Sequence, residues 1–184
     1  LTVEERTALH HQVQQGRVVP AHDGQQAEQF QHLIGRMERA GSVQYEISNF
    51  AREGHFAQHN TAYWQGVPYL GIGPSAHSFH GGVRRWNVAN NPRYVQGITK
   101  GERYWEEETL SPAQRTNEQL LTGLRTMWGV DLDALPMDVR HANRAELERY
   151  LASGDLLLQG GRLLLSRTGR DFADRIASDL FILP

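Results

Sequence analysis

The 184-residue chain contains no cysteine. That absence excludes disulfides, a thiolate nucleophile, cysteine-ligated zinc and, within these residues, thiolate ligation of an iron–sulfur cluster. Lysine is almost missing too: Lys100 stands alone against 18 Arg. Arginine excess suits carboxylate recognition, although the compositional habit of a genome produces the same count. No hydrophobic run reaches membrane length, and nothing at the start is expected to act as a secretory leader. A net charge of −2 gives no sign of a polyanionic partner. What is present is ordinary: 39% hydrophobic residues, enough core for one large domain or two small ones.

The periodicity predicts helices over the first 42 residues. "TALHHQVQQG" reads as a short helix stopped by Gly16. A firmer one follows, with Asp23 as N-cap, Gln26 at N3, and Ala27, Phe30, Leu33, Ile34, Met37 and Ala40 on one stripe ending at Gly41. Residues 43–90 differ in texture, holding eight of the sixteen aromatics, four of the nine His and six Gly. "VQYEISNF" alternates as a strand, "PYLGIG" reads as a short buried strand running into a loop, and "HNTAYW" sits between them as a loop segment. Asn91 as N-cap with Pro92 at N1 opens a short helix that stops at Gly101.

From Ser111 onward "SPAQ" is a capping box, and Leu120, Leu121, Leu124 and Met127 follow at helical spacing. "NRAE" opens another helix ending at Gly154, "DLLLQ-GG-RLLLS" is a hairpin signal, and "TGRD" caps a final helix through Leu180. Helix, short helical piece, helix, hairpin, helix is the order of a small winged-helix-like module. The acidic "WEEETLSP", residues 105–112, is where a domain break is expected, giving parts 1–106 and 107–184. Residues 111–184 carry nine Arg, no Lys and ten Asp or Glu. A balance of −1 speaks against nucleic-acid binding by this module.

Few residues could carry chemistry. His59 could ligate a metal or haem iron through a neutral imidazole nitrogen, with Asn60 orienting it and Tyr63 and Trp64 stacking on a flat ligand. The alternative is that all four hold a loop together. His77 and His80 are second candidates, although their spacing is no zinc signature. "GIGPSA", with Gly71, Gly73 and Ser75, could bring backbone amides close to a ligand; Ala76 stands where a dinucleotide loop has its third glycine. Arg84 and Arg85 could clamp carboxylates. Neither the acidic pairs nor Ser75 forms a hydrolase frame.

The stretch "YEISNFAREGHFAQHNTAYWQGVPYLGIGPSAHSFHGGVRRWN", continued by "NEQLLTGLRTMWGVDL" and preceded by "LTVEERT", resembles the HemW haem-chaperone family. These are relatives of HemN, the oxygen-independent coproporphyrinogen III oxidase of the radical SAM superfamily. The resemblance rests on the HN-x-x-YW and G-x-G-x-S-A-H-S signatures together. It implies an α/β (α+β) fold: the C-terminal remnant of a partial (β/α) radical SAM barrel, then the winged-helix-like module. It also implies haem as ligand, with His59 the favoured iron contact, Asn60, Tyr63 and Trp64 around it, and His77 as alternative. Gly71, Gly73 and Ser75 become a loop on the S-adenosylmethionine side, and Arg84 and Arg85 candidates for the propionates.

Full-length family members hold a [4Fe–4S] cluster on C-x-x-x-C-x-x-C and S-adenosylmethionine on its open iron. This chain departs from that pattern. Without cysteine, neither cluster nor radical chemistry is expected on it alone, and it is expected to be a C-terminal portion of a longer protein. Haem-acceptor proteins are the implied partners and the cytoplasm the implied compartment, with peripheral membrane association left open. The competing functions are a coproporphyrinogen decarboxylase, with arginines gripping propionates, and a non-catalytic interaction module.

Overall fold

The computed structural model describes residues 3–136 and 143–182. Helix α1 (Ala8–Gln14) starts where the Thr7 hydroxyl accepts from the His10 N–H. Helix α2 (Asp23–Arg39) is capped one residue earlier than the sequence suggests. The His22 ring nitrogen takes the Gln25 N–H at 3.1 Å, and Asp23 moves into the first turn, where its charge still complements the helix dipole. Of the expected stripe only Ile34 is fully buried, and Leu33 is 45% exposed.

The expected single strand "VQYEISNF" is a hairpin of β1 (Val43–Glu46) and β2 (Asn49–Ala51). The Glu46 carboxylate makes the reversal, accepting the Ser48 N–H at 2.9 Å and the Asn49 side-chain amide. Helix α3 (Gln58–Trp64) follows, so "HNTAYW" is helical and not a loop. "PYLGIG" is not a buried strand: Tyr69 alone bridges Phe79, and Leu70 and Ile72 are 79% and 82% exposed.

Strands β3 (His77–His80), β4 (Val83–Asn87) and β5 (Trp105–Thr109) form an antiparallel sheet in that order. Helix α4 (Asn91–Lys100) links β4 to β5, capped by Asn90 rather than the expected Asn91, because the Asn90 side chain takes the Arg93 N–H, and closed by Gly101 in the left-handed conformation. The acidic run read as an interruption is therefore a strand. Its register explains why: Glu108 lies opposite Arg84 and Glu107 opposite Arg85, and opposite charges on facing strands stabilise the pair. A division between two parts stays a proposal, and β5 moves it to the 110–112 end of the expected interval.

The last third is α5 (Pro112–Leu124), β6 (Val130–Asp131), α6 (Arg144–Ser153), β7 (Leu156–Gln159), β8 (Arg162–Leu165), a 3-10 turn (Gly169–Phe172) and α7 (Ala173–Asp179). Ser111 and Gln114 make the expected capping box. Strand order is β6-β8-β7, the hairpin turning at Gly160 and Gly161. The short helical piece expected between α5 and α6 concerns a stretch of which residues 137–142 lie outside the described residues. Asn143 does not cap α6 through its side chain; its amide donates instead to the Leu180 carbonyl at 2.5 Å. The main core lies here, from Leu120 and Leu124 through Leu156 and Leu163 to Ile176 and Leu180.

The β1–β2 hairpin docks on this module at the end of α5. The Ile47 N–H donates to the Arg125 carbonyl and the Met127 N–H to the Tyr45 carbonyl, both at 3.0 Å. No helix among the described residues is long and apolar enough to cross a membrane.

Candidate functional site

Helix α3 sorts its four candidate side chains by spacing. Residues four apart share a face, which pairs His59 with Tyr63 and Asn60 with Trp64. The second pair turns inward, the Trp64 indole N–H donating to Asn60 Oδ1 at 3.1 Å. The Arg125 guanidinium lies 5.3 Å from the Trp64 ring and reaches Glu46 Oε1 at 3.1 Å and Asp174 Oδ1 at 2.6 Å. Glu46 is buried, so the indole rests on a charged group anchored in the core. The first pair turns outward. His59 is exposed, its ring makes no hydrogen bond among the described residues, and both ring nitrogens are available to a ligand. Tyr63 beside it is half exposed.

A cleft of about 880 Å³ opens beside α3, between Tyr63, Trp64, Tyr69 and Phe79 on one side and α5 with Trp128 on the other. Its size falls within the range of small-molecule sites. The ring centroids run in series: Trp64 to Tyr63 at 5.3 Å, Tyr63 to Tyr69 at 5.7 Å, Tyr69 to Phe79 at 6.3 Å. Burial, with Tyr63 close by, pushes the Tyr69 phenol above its usual value. On the α5 side, Tyr45, Phe56 and Trp128 pack with centroids 4.8 to 6.3 Å apart. Phe56 thereby fixes the approach to α3 against the C-terminal module.

The other candidates stand apart from this cleft or are already engaged. His77 is exposed on β3, tilted over Trp86 at 6.4 Å. The glycine loop is a scaffold element. Gly71 N–H donates to Ser78 Oγ at 2.9 Å, Gly73 N–H to the Tyr94 hydroxyl at 3.0 Å, and Ser75 N–H to the Val88 carbonyl at 3.2 Å. These amides are spoken for. A side chain at Gly71 would put its Cβ 2.1 Å from the His77 carbonyl oxygen, so close backbone approach, rather than a ligand, requires glycine there. Buried Asn87 ties the loop down by donating to the Gly71 and Gly73 carbonyls. Arg84 is taken by Glu118 at 2.5 Å and Glu108 at 3.6 Å. Arg85 bonds Glu107 at 2.9 Å and lies 4.6 Å from the Trp105 ring. Neither arginine is an uncommitted clamp.

Sequence reasoning missed Tyr69, Trp128 and Arg125. They join the site through contacts between segments up to 79 positions apart, and no local motif marks them.

Residues 110–172 match the HemN C-terminal domain family. Among curated relatives, a "Heme chaperone HemW" of Mycobacterium tuberculosis is 33% identical over 183 residues, covering 98% of this chain and 45% of the relative. One of Bacillus subtilis is 36% identical over 131 residues, 71% of this chain and 35% of the relative. The chain is HemW-like. A mouse relative, "Radical S-adenosyl methionine domain-containing protein 1, mitochondrial", is 34% identical over 204 residues and covers the whole of it. A solved structure of Escherichia coli HemN, titled as a coproporphyrinogen III oxidase and radical SAM enzyme, has a TM-score of 0.64 over 92% of this chain and 44% of its own length. Its 16% identity speaks for fold alone, and that fold is the mixed α/β one expected. The HemW-like chain spans less than half the length of these relatives.

Proposed function

We propose that the complete polypeptide carrying this HemW-like sequence binds haem at the outward face of α3 and passes it to acceptor proteins in the cytoplasm. The observation that carries this reading is the His59–Tyr63 face. It presents a free imidazole, with Tyr63 also forming part of a continuous aromatic wall. The donor set fits haem. A neutral imidazole nitrogen is a normal axial ligand to haem iron, and Tyr63 and Trp64 offer ring faces to the macrocycle. An exposed ligand also suits cargo that must leave, since an acceptor can approach the iron without unfolding the donor.

The same chemistry does not fit a [4Fe–4S] cluster, because the chain has no thiolate. Cluster and S-adenosylmethionine, expected in the full-length family, would be held by other residues of the polypeptide. This chain's own part is to bind the cargo. Asn60 and Arg125 orient Trp64, and Trp64 fixes the helix face from which His59 projects.

Haemin titration of the complete polypeptide tests the proposal. Saturable binding with a Soret band that His77→Ala leaves in place is the expected result. A band lost in His77→Ala and kept in His59→Ala would move the ligand to β3. Absence of saturable binding would remove the function.

A further inference from the structure

Three arginines line the cleft, and they differ in what holds them. Arg84 is neutralised by Glu118 and Glu108. Arg162 donates to the Trp128 carbonyl at 2.5 Å and the Gly129 carbonyl at 3.1 Å, and stands 3.6 Å from Asp131. Arg115 has neither a hydrogen bond nor an ion pair from its side chain among the described residues. It lies near the start of α5, exposed, with its stem across the β3–β4 turn. Gly82 makes that position available: a Cβ there would stand 3.3 Å from Arg115 Cδ and 3.4 Å from Nη1. Gly82 is itself held, its carbonyl accepting the Leu110 N–H at 2.9 Å. The guanidinium thus lies beside Gly82 while its five donors stay unclaimed among the described residues.

The same cleft carries the aromatic series Trp64, Tyr63, Tyr69, Phe79. These rings are tilted to one another by 80°, 48° and 32° along the series, so they offer a macrocycle both ring edges and ring faces, and an uncommitted guanidinium in the same cleft suits a carboxylate arm on that apolar body. Resting on the haem-binding reading above, we propose that Arg115, and not Arg84 or Arg85, receives a propionate carboxylate of the haem. Such a pair forms two parallel charge-assisted hydrogen bonds. Arg84 and Arg85 would first have to give up Glu118 and Glu107. The Arg115–propionate pair would put the carboxylate edge of the macrocycle on the α5 side of the cleft.

The test compares haemin with haemin dimethyl ester, which keeps iron and macrocycle but masks both carboxylates, on the complete polypeptide. The wild-type protein should favour haemin by about tenfold, the scale of one hydrogen bond to a charged group. Arg115→Gln should bring that ratio close to one while leaving the Soret position unchanged, because His59 is untouched. Arg115→Lys should recover part of the preference. Arg115 is exposed, so the Gln variant should keep the wild-type circular dichroism and melting temperature. A preference that survives Arg115→Gln in the folded protein overturns the assignment, as does a wild type that binds both probes equally. A wild type that binds neither overturns the haem-binding reading with it.

Discussion

The two halves of the molecule are built on different principles. The C-terminal module has a closed core in which Leu124, Leu156, Leu163 and Ile176 are each at most 1% exposed. The α3–β5 region has no such cluster. Its buried groups include the polar Asn87, held by hydrogen bonds, while Leu70, Ile72, Val95 and Ile98 stand open. Stability is concentrated away from the candidate iron ligand, and the C-terminal module lends the cleft only surface side chains such as Arg115. The candidate iron ligand His59 and its ring neighbours sit on a short helix held by Phe56 on Trp128 just before it and by Trp64 on Arg125 at its end. A rigid body that carries a thinly supported binding face suits a site that must both hold and release.

Leu124→Ala should show the largest effect, a loss of ~2–5 kcal/mol by urea unfolding. Leu70→Ala should stay within about 0.5 kcal/mol. Equal costs at the two positions would break the comparison. Next comes Glu46→Ala, which strips a buried carboxylate from Arg125. We expect about 3 kcal/mol, the low end for a broken buried pair, because Arg125 keeps Asp174. The same change should loosen Trp64, seen as a red shift and broadening of indole fluorescence.

The third effect is acid sensitivity of the C-terminal module. The Tyr150 hydroxyl donates to Asp179 at 2.5 Å, and that bond, with Arg149 close by, holds the Asp179 carboxyl below its usual range. A carboxyl lowered on folding contributes stability that is full above its unfolded value, about pH 4. That contribution is lost as the pH falls through the folded value. Asp179→Asn should therefore lower the melting temperature at pH 7 and flatten its decline in acid. Unchanged acid sensitivity would refute this. The smallest effect should come from Arg85→Ala, which removes an exposed pair with Glu107 and should cost under ~1 kcal/mol.

How much of this was legible in the sequence varies with how local each feature is. The SPAQ capping box, the two-glycine hairpin and the Leu120–Leu124 stripe were readable because each is settled within a few residues. "HNTAYW" reads as a loop by residue type, although 59/63 and 60/64 are helical pairs and the segment is helical. The acidic run 105–109 reads as an interruption along the chain, where like charges are neighbours. Their partners Arg84 and Arg85 lie across the sheet. "PYLGIG" looked buried on composition alone, yet Leu70 and Ile72 face outward. The cleft was invisible from sequence, since its walls come from α3, β3, α5 and β6.

One measurement tests the central claim that binding and stability are separated. In the complete polypeptide, His59→Ala should shift or abolish the Soret band of bound haemin and weaken its titration by about tenfold or more, since it deletes the proposed axial nitrogen. The melting temperature without haemin should stay within about 1 °C of wild type, because His59 is exposed and supports no other residue. A wild-type spectrum and affinity in His59→Ala would contradict the ligand assignment. A large fall in melting temperature would contradict the separation, making His59 a structural residue of α3.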